Sequence, residues 1–352
     1  MKKKKYLFIL FLIIPLILSG CTFAFGPGGG GGKNQPVTGK GIYKTGNKGA
    51  DWVEQNSLEG SEVGIGETNV HKLAFDIFDS KILYRSTNNG LFISENAGES
   101  WKRLSSSSVG DFTLNPKTRG IIYMANGNKV YITTDNGENW DLVYTEARSN
   151  ISIKSVQISY FDTSYIYLLA SDGAVLLSNN WGESWQTIYA FKKRIKAKEL
   201  FIDPHDSNNM FIAATDKFYV STDQGLTWTE TMADLKKEFP GINLYKKLYF
   251  TKKANNLIYL SKYGILKSSD NGVSWQPVTL ITAPNTVDIN ALAFDPDETS
   301  EIYYTIGKIL YHTVDNGENW KTRTLPIPGG TKTSCLLVDP GDTNSIYLGV
   351  TQ

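Results

Sequence analysis

The residues best placed to do chemistry are a run of cations between positions 192 and 198. Five basic side chains occur there with no acidic residue among them: Lys192, Lys193, Arg194, Lys196 and Lys198. The next stretch between repeats adds Lys246 and Lys247. Concentrated positive charge attracts acidic protein segments and anionic head groups. We therefore expect a basic patch that binds another protein or an anionic surface; the alternative is a loop whose lysines are only solvated.

Catalytic and metal-binding groups form no comparable cluster. The three histidines, His71, His205 and His312, are far apart in the chain, which disfavours a zinc site or a nucleophilic triad. Glycoside hydrolysis needs two carboxylates about 5–10 Å apart, and the candidates for such a pair are Asp172, Asp216, Glu62 and Glu67. The net charge of +1 gives no sign of nucleic-acid binding. The sequence predicts no catalytic residue, no metal and no cofactor, and it favours a binding protein over an enzyme.

One motif, repeated seven times, defines the elements that must position these residues. Its pattern is Ser/Thr-x-Asp/Asn-x-Gly-x-x-Trp, first at residues 45–52 and last at residues 313–320. Seven of the eight tryptophans end a copy: Trp52, Trp101, Trp140, Trp185, Trp228, Trp275 and Trp320. The mean period is about 45 residues, a spacing typical of β-propeller blades.

Each residue of the motif has a structural explanation. Glycine at the fifth position permits a positive φ in a tight turn. The side chain at the third position can accept hydrogen bonds from turn N–H groups, and the final tryptophan can bury a large apolar surface against the neighbouring sheet. The third position is aspartate in four copies, Asp135, Asp223, Asp270 and Asp315, and asparagine in the other three. Because a carboxylate is not required, we expect a hydrogen-bonding role rather than a catalytic or metal-binding one.

A complete repeat, such as residues 289–320, contains four strand-like segments. Alternation over residues 290–294 ends at Asp295 and Pro296, a turn signal. Residues 301–305 and 309–313 give two further strands, and Trp320 opens a fourth. The last repeat is divided: residues 334–350 supply its first two strands, and residues 41–45 and 52–54 supply the other two. The sequence therefore predicts an all-β fold, a single seven-bladed β-propeller (41–352) of four-stranded blades, with the last blade closed by the N- and C-terminal strands.

The beginning of the chain has the features of a targeting segment. Four lysines precede an apolar run over residues 6–18, which is shorter than the about 20 residues that span a bilayer. Small residues then precede Cys21. This pattern resembles a bacterial lipoprotein signal, which implies a signal peptide at 1–20 and a lipid on the Cys21 sulfur. Residues 21–40 are rich in glycine and are expected to form a tether.

These features together indicate a monomer in the bacterial cell envelope. We expect a lipid anchor on the outer side of the cytoplasmic membrane, or in the outer membrane if one exists, and no other membrane contact. The one remaining cysteine, Cys335, has no partner for an internal disulfide and is expected to be buried. Trp181, at a motif tip, is expected to pack on its own hairpin or to mark a contact surface.

The motif copies resemble Asp-box (BNR) repeats. A single propeller with seven such boxes and a lipoprotein-like signal is similar to the photosystem II stability/assembly factor family, and the resemblance covers nearly all of residues 41–352. It implies an assembly-factor-like scaffold that binds proteins on the face carrying the links between blades. That family's basic patch is dominated by arginine, whereas lysine dominates here.

Enzymes and receptors that share the box differ from this chain. Sialidases use three arginines and a Phe/Tyr-Arg-Ile/Leu-Pro element, but this sequence has six arginines and no such element. Sortilin-type receptors and xyloglucanase-type glycosidases are larger, and the latter build their cleft with a second propeller. Glycan binding or cleavage is therefore the alternative function.

Overall fold

The computed structural model describes residues 40–62, 64–66 and 68–352. The predicted signal peptide (1–20), Cys21 and the tether up to residue 39 lie outside the described residues, as does Glu67. The chain from Val37 onward forms one compact unit. Within the described part of this unit, no helix is long and apolar enough to cross a bilayer.

In the described residues, the regular structure consists of 29 strands and one short 3-10 turn, Asp234–Lys236. The first half of the strands are β1 (Gly41–Thr45), β2 (Val53–Glu54), β3 (Ser57–Leu58), β4 (Val70–Phe75), β5 (Leu83–Thr87), β6 (Gly90–Ser94), β7 (Ser100–Ser105), β8 (Asp111–Leu114), β9 (Ile122–Asn126), β10 (Lys129–Thr133), β11 (Asp141–Thr145), β12 (Ile153–Ile158), β13 (Ile166–Ala170), β14 (Val175–Ser178) and β15 (Gln186–Tyr189). The remainder are β16 (Ala197–Ile202), β17 (Met210–Ala214), β18 (Phe218–Ser221), β19 (Thr229–Glu230), β20 (Tyr245–Phe250), β21 (Leu257–Ser261), β22 (Ile265–Ser268), β23 (Gln276–Pro277), β24 (Ala291–Phe294), β25 (Ile302–Ile306), β26 (Ile309–Thr313), β27 (Lys321–Thr324), β28 (Lys332–Asp339) and β29 (Asp342–Thr351).

These strands form seven antiparallel blades, which confirms the predicted fold. Blades 1 to 6 begin at β4, β8, β12, β16, β20 and β24, and each contains four consecutive strands. Because antiparallel strands alternate in direction, the box hairpins and the turns between first and second strands lie on one face, the box face. The links between blades and the turns between second and third strands lie on the other, the link face.

Blade 7 closes the ring as the sequence predicts, in the order β2-β1-β29-β28. The partner of Gly41 is Val350, and the partner of Thr45 is Ile346, so β1 pairs along its whole length. The link that follows β2 also adds β3 to blade 1, in parallel with β7. This fifth strand, which the sequence did not predict, covers an outer edge that would otherwise expose backbone groups.

The hydrophobic core lies between the blades rather than within them. Seven clusters of buried side chains occur, and each joins residues from two neighbouring blades. Every box tryptophan packs into the cluster shared with the preceding blade. Trp101 is fully buried, and its indole N–H donates to the Gln55 carbonyl at 2.8 Å. The tryptophans therefore fasten successive blades together, in agreement with the sequence interpretation.

The boxes adopt one hydrogen-bonded hairpin throughout. In the box of Asp270, the Ser268 hydroxyl donates to the carboxylate at 2.8 Å and accepts from the Gly272 N–H at 2.8 Å. The Ser274 N–H also donates to Asp270 at 2.9 Å. The fourth residue has a positive φ of 54–62° in all seven copies, in addition to the fifth-position glycine. Trp181 is one of these fourth residues, and its side chain is 43% exposed on the box face.

Arg85 fixes the seam between blades 7 and 1. Its side chain is fully buried, and its guanidinium lies 5.1 Å from the Trp101 ring centre. It donates to the Ile65 carbonyl at 3.0 Å and to the Thr68 hydroxyl at 3.1 Å, and a longer 3.3 Å contact reaches Asn56. Burial lowers the pKa of Arg85 to about 9, so the group stays charged at pH 7 although no carboxylate contacts it among the described residues. It holds the link after β2 against the blade.

A second polar cluster joins blades 6 and 7. Glu301, which is 7% exposed, accepts hydrogen bonds from Lys48 at 2.9 Å, from His312 at 2.8 Å and from the Tyr303 hydroxyl at 2.5 Å. Burial lowers the pKa of His312, although the bond to Glu301 opposes the change. Burial alone would raise the pKa of Glu301, but the hydrogen bonds from its three partners outweigh it and hold that pKa below its usual range.

This cluster makes the stability depend on pH. His312 binds its proton more weakly in the folded than in the unfolded chain, so the free energy of unfolding should fall as pH drops below about 6.5. Glu301 contributes a further loss as pH falls below about 4.5, its unfolded pKa. Urea denaturation at pH 5, 6, 7 and 8 measures how the free energy of unfolding changes with pH. Because a single proton is involved, this slope is at most about 1.4 kcal/mol per pH unit. His312→Gln should flatten the range from pH 5 to 7, and an unchanged slope would contradict the assignment.

Candidate functional site

A cavity lies on the axis of the ring. It has a volume of about 390 Å³ and is lined by residues from all seven blades, nearly all on or beside the innermost strands β4, β8, β12, β16, β20, β24 and β28. Each innermost strand begins directly after the link from the preceding blade. The lining residues at these starting positions, including Lys154, Lys198 and Lys246, therefore lie at the link-face end of the channel.

A repeated backbone irregularity lets two successive residues line the cavity. In a regular strand, side chains alternate between the two faces. Five innermost strands, however, show a register shift at the same place, for example between Ala197 and Glu199 and between Tyr245 and Lys247. A bulge of this kind turns a strand locally and redirects its side chains. As a result Lys198 and Glu199 both line the cavity, as do Lys246 and Lys247.

Both carboxylates of the lining are held by lysines. Asp111 accepts from Lys72 at 2.7 Å, and its second oxygen accepts from the Ser155 hydroxyl and the Val156 N–H, each at 3.0 Å. Glu199 contacts Lys247 at 2.5 Å. Neither acid has the freedom expected of a catalytic acid or base, and both connect neighbouring blades.

Three further lysines of the lining give the cavity an excess of positive charge. Lys154 is exposed and contacts no carboxylate among the described residues. Lys198 makes a long 3.5 Å contact with the Tyr245 carbonyl and lies 6.0 Å from the centre of the Tyr245 ring, but it pairs with no described carboxylate. Lys246 contacts Asp288 at 3.1 Å, but Lys262 shares this same carboxylate at 3.0 Å. Burial lowers the pKa of Lys246.

The rest of the predicted patch lies on a loop of the link face, residues 191–196, which we call the basic loop. Two apolar residues anchor it: Phe191 packs on Tyr219 with ring centres 4.6 Å apart, and Ile195 contacts the same cluster. The cations between and beside these anchors, Lys192, Lys193, Arg194 and Lys196, are exposed. Of the described carboxylates, none pairs with them. The basic loop therefore holds exposed cations, without a carboxylate partner among the described residues, at a fixed place on the link face.

The structure therefore divides the predicted patch into two parts. Lys192, Lys193, Arg194 and Lys196 belong to the basic loop, whereas Lys198, Lys246 and Lys247 line the cavity with Lys154 and Lys72. Sequence reasoning missed Lys154 because no charge cluster surrounds it in the chain. A signal existed: Lys154, Lys198 and Lys246 occupy equivalent positions in three successive repeats, each immediately after the residue that opens its innermost strand.

The other candidate residues are dispersed. His205 contacts the Thr251 carbonyl at 3.0 Å, His312 belongs to the Glu301 cluster and His71 lines the cavity. Asp172 is paired with Arg148 at 2.8 Å. Within the residues that the structure describes, no three histidine, cysteine or acidic side chains are grouped so as to hold a metal. Cys335 is a half-buried free thiol at the cavity, and burial raises its pKa to about 11.

Comparison with known protein sequences links the chain to propellers. Residues 112–260 match the model of the DUF6242 beta propeller domain. A probable oligoxyloglucan-reducing end-specific xyloglucanase from Neosartorya fischeri is 31% identical over 163 residues, which are 40% of this chain and 19% of that protein. The chain therefore spans about a fifth of the length of the curated relatives it matches.

Comparison with solved structures confirms the fold and its resemblance to two kinds of propeller. A GH74 xyloglucanase from Xanthomonas campestris has a TM-score of 0.62 at 14% identity, covering 80% of this chain and 51% of that one. The structure described as YCF48 bound to D1 peptide has a TM-score of 0.61 at 14% identity, covering 81% and 93%. At such low identity the likeness shows the fold alone.

Proposed function

We propose that this chain is a lipid-anchored, extracytoplasmic binding protein whose link face docks an acidic segment of a partner protein. The observation that carries the proposal is the set of exposed cations on the basic loop that lack a carboxylate partner among the described residues. Folding normally places surface charges of both signs together, so an unpaired, anchored group of one sign is suited to an oppositely charged partner. A similar propeller is described with a bound peptide, which is consistent with a protein partner.

The location is part of the same proposal. The basic residues, short apolar run and small residues before Cys21 favour export and lipidation. A lipid on Cys21 and the glycine-rich stretch after it would keep the propeller near the envelope membrane while leaving it free to turn. Labelling with a radioactive fatty acid should mark the wild type and not Cys21→Ser.

Reversing the charge of the basic loop should abolish partner capture. The test variant replaces Lys192, Lys193, Arg194 and Lys196 by Glu, and crosslinked partners are identified by mass spectrometry in the host's own membranes. Partners captured by the wild type should be lost, because each attractive contact becomes repulsive.

A matched control changes the same number of exposed lysines on the box face. Lys81, Lys117, Lys252 and Lys253 lie on exposed turns there, and their replacement by Glu alters the net charge equally. This variant should keep the partners. Identical partner lists for wild type and basic-loop variant would refute docking through the loop.

Glycan binding is the second candidate function, because of the sequence similarity to xyloglucanases. Docking is preferred over glycan cleavage because the two carboxylates of the cavity and the candidate acid Asp172 are each held by a basic side chain. Incubation with xyloglucan should release no reducing sugar. If the wild type released reducing sugar and Asp172→Asn or Asp216→Asn did not, glycan cleavage would become the preferred function.

A further inference from the structure

The channel cavity contains charges that the docking proposal does not use. Five lysines and two carboxylates line it, and each carboxylate already has its own lysine. Lys154 and Lys198 pair with no described carboxylate, and Lys246 shares Asp288 with Lys262, so blades 3, 4 and 5 contribute an excess of positive charge. Cations gathered around one cavity attract anions into it, because their fields add there.

The distribution of these groups around the ring is uneven. These three lysines, Lys154, Lys198 and Lys246, occupy adjacent blades on one side. The equivalent positions on the other side carry uncharged hydrogen-bonding groups from Asn290 in blade 6 and Ser334 in blade 7. The volume of about 390 Å³ falls within the range of small-molecule sites, about 300–1,000 Å³. A ligand that fits this arrangement is small, carries its negative charge at one end and has hydrogen-bonding groups at the other.

We propose that the cavity is a binding site for a small ligand with at least two negative charges on carboxylate or phosphate oxygens. Lysine ammonium groups make strong but non-directional contacts with carboxylate and phosphate oxygens alike. The lining therefore calls for an anion, and experiment must decide whether its charge is on carboxylate or on phosphate. The lining offers little to a neutral sugar. Its one phenol or phenyl ring among the described residues belongs to Tyr249, whose hydroxyl donates to the Leu292 carbonyl at 2.8 Å. This site is separate from the basic loop, so either proposal can fail without the other.

Calorimetric titration of the chain tests the site with three probes: citrate, inorganic pyrophosphate and glucose. We expect the wild type to bind at least one of the two anions, more weakly at higher salt, and not to bind glucose. The double variant Lys154→Gln, Lys198→Gln should reduce the anion affinity at least tenfold. Both side chains are exposed to the cavity and contact no carboxylate among the described groups, so the double variant should fold with an unchanged melting temperature.

The basic-loop variant serves as the control for general charge effects. It changes more charge than the double variant but leaves the cavity lysines in place, and it should keep most of the anion affinity. The proposal is overturned if the wild type binds neither anion, if the double variant binds as tightly as the wild type, or if the basic-loop variant loses as much affinity as the double variant. A preference for citrate or for pyrophosphate identifies carboxylate or phosphate as the source.

Discussion

A chain that begins at residue 55 should give no folded monomer, although it lacks only strands β1 and β2. Without β1, the N–H and C=O groups of β29 along Ile346–Val350 lose their partners, and an unpaired edge of this length promotes aggregation. Two core clusters are damaged together, because Tyr43 belongs to the seam with blade 6 and Ile42 to the seam with blade 1. Size-exclusion chromatography and circular dichroism should show aggregates, whereas a chain beginning at residue 37 should be a folded monomer.

A circular permutant shows whether the deletion acts through the missing strands, because it keeps β1 and β2 but attaches them to the other end of the chain. Gly41 pairs with Val350 in an antiparallel register, so a linker of a few residues from Gln352 can form a hairpin into β1. This permutant begins in the link after β2 and contains every strand of the ring. It should fold as a monomer with a melting temperature close to that of the wild type. Aggregation of the permutant together with folding of the deletion would show that the closure does not depend on these strands.

Replacement of Arg85 should cause a large loss of stability for a single substitution at this seam. Arg85→Met removes the charged hydrogen bonds to the Ile65 carbonyl and the Thr68 hydroxyl and takes a cation from the Trp101 ring, while the Thr68 hydroxyl keeps its own bond to the Ile65 carbonyl. A hydrogen bond to a charged group contributes about 1.5–3 kcal/mol, so we expect the free energy of unfolding to fall by about 2–4 kcal/mol. Urea denaturation measures this change.

Arg103 provides a matched control for Arg85. It is exposed on the neighbouring outer strand β7, and its guanidinium lies over the Phe92 ring at 5.3 Å, nearly the same distance as Arg85 from that ring. Arg103→Ala should therefore cost less than about 1 kcal/mol. Similar losses for the two variants would mean that the buried hydrogen bonds of Arg85 contribute little.

The fold could be predicted because its signal is repeated and local. Each box combines residues that a tight hairpin and a blade seam require, and seven copies at one spacing leave little freedom in the architecture. The division of blade 7 was predicted because the last repeat has only its first two strands and the first repeat is preceded by the other two. Strand β3 could not be predicted, because two residues of parallel pairing on an outer edge have no period or turn signal of their own.

The site was only partly predictable for a different reason. The basic loop is contiguous in sequence, so its cations stood out. The cavity depends on bulges that turn successive residues such as Lys198 and Glu199 toward one space, and simple alternation assigns them to opposite faces. Arg85 was likewise hidden: it occupies a strand position where the other six blades have apolar or aromatic residues, but its partners come from a link without regular structure.

Every core cluster is shared between two blades, so the cooperative unit of unfolding is the whole ring rather than a single blade. A blade removed from its neighbours has no apolar interior, and its loss exposes half of two clusters at once. Solenoids can fray from their ends, but a closed ring has no terminal repeat at which fraying begins. Calorimetry should accordingly show one transition whose van't Hoff and measured enthalpies agree.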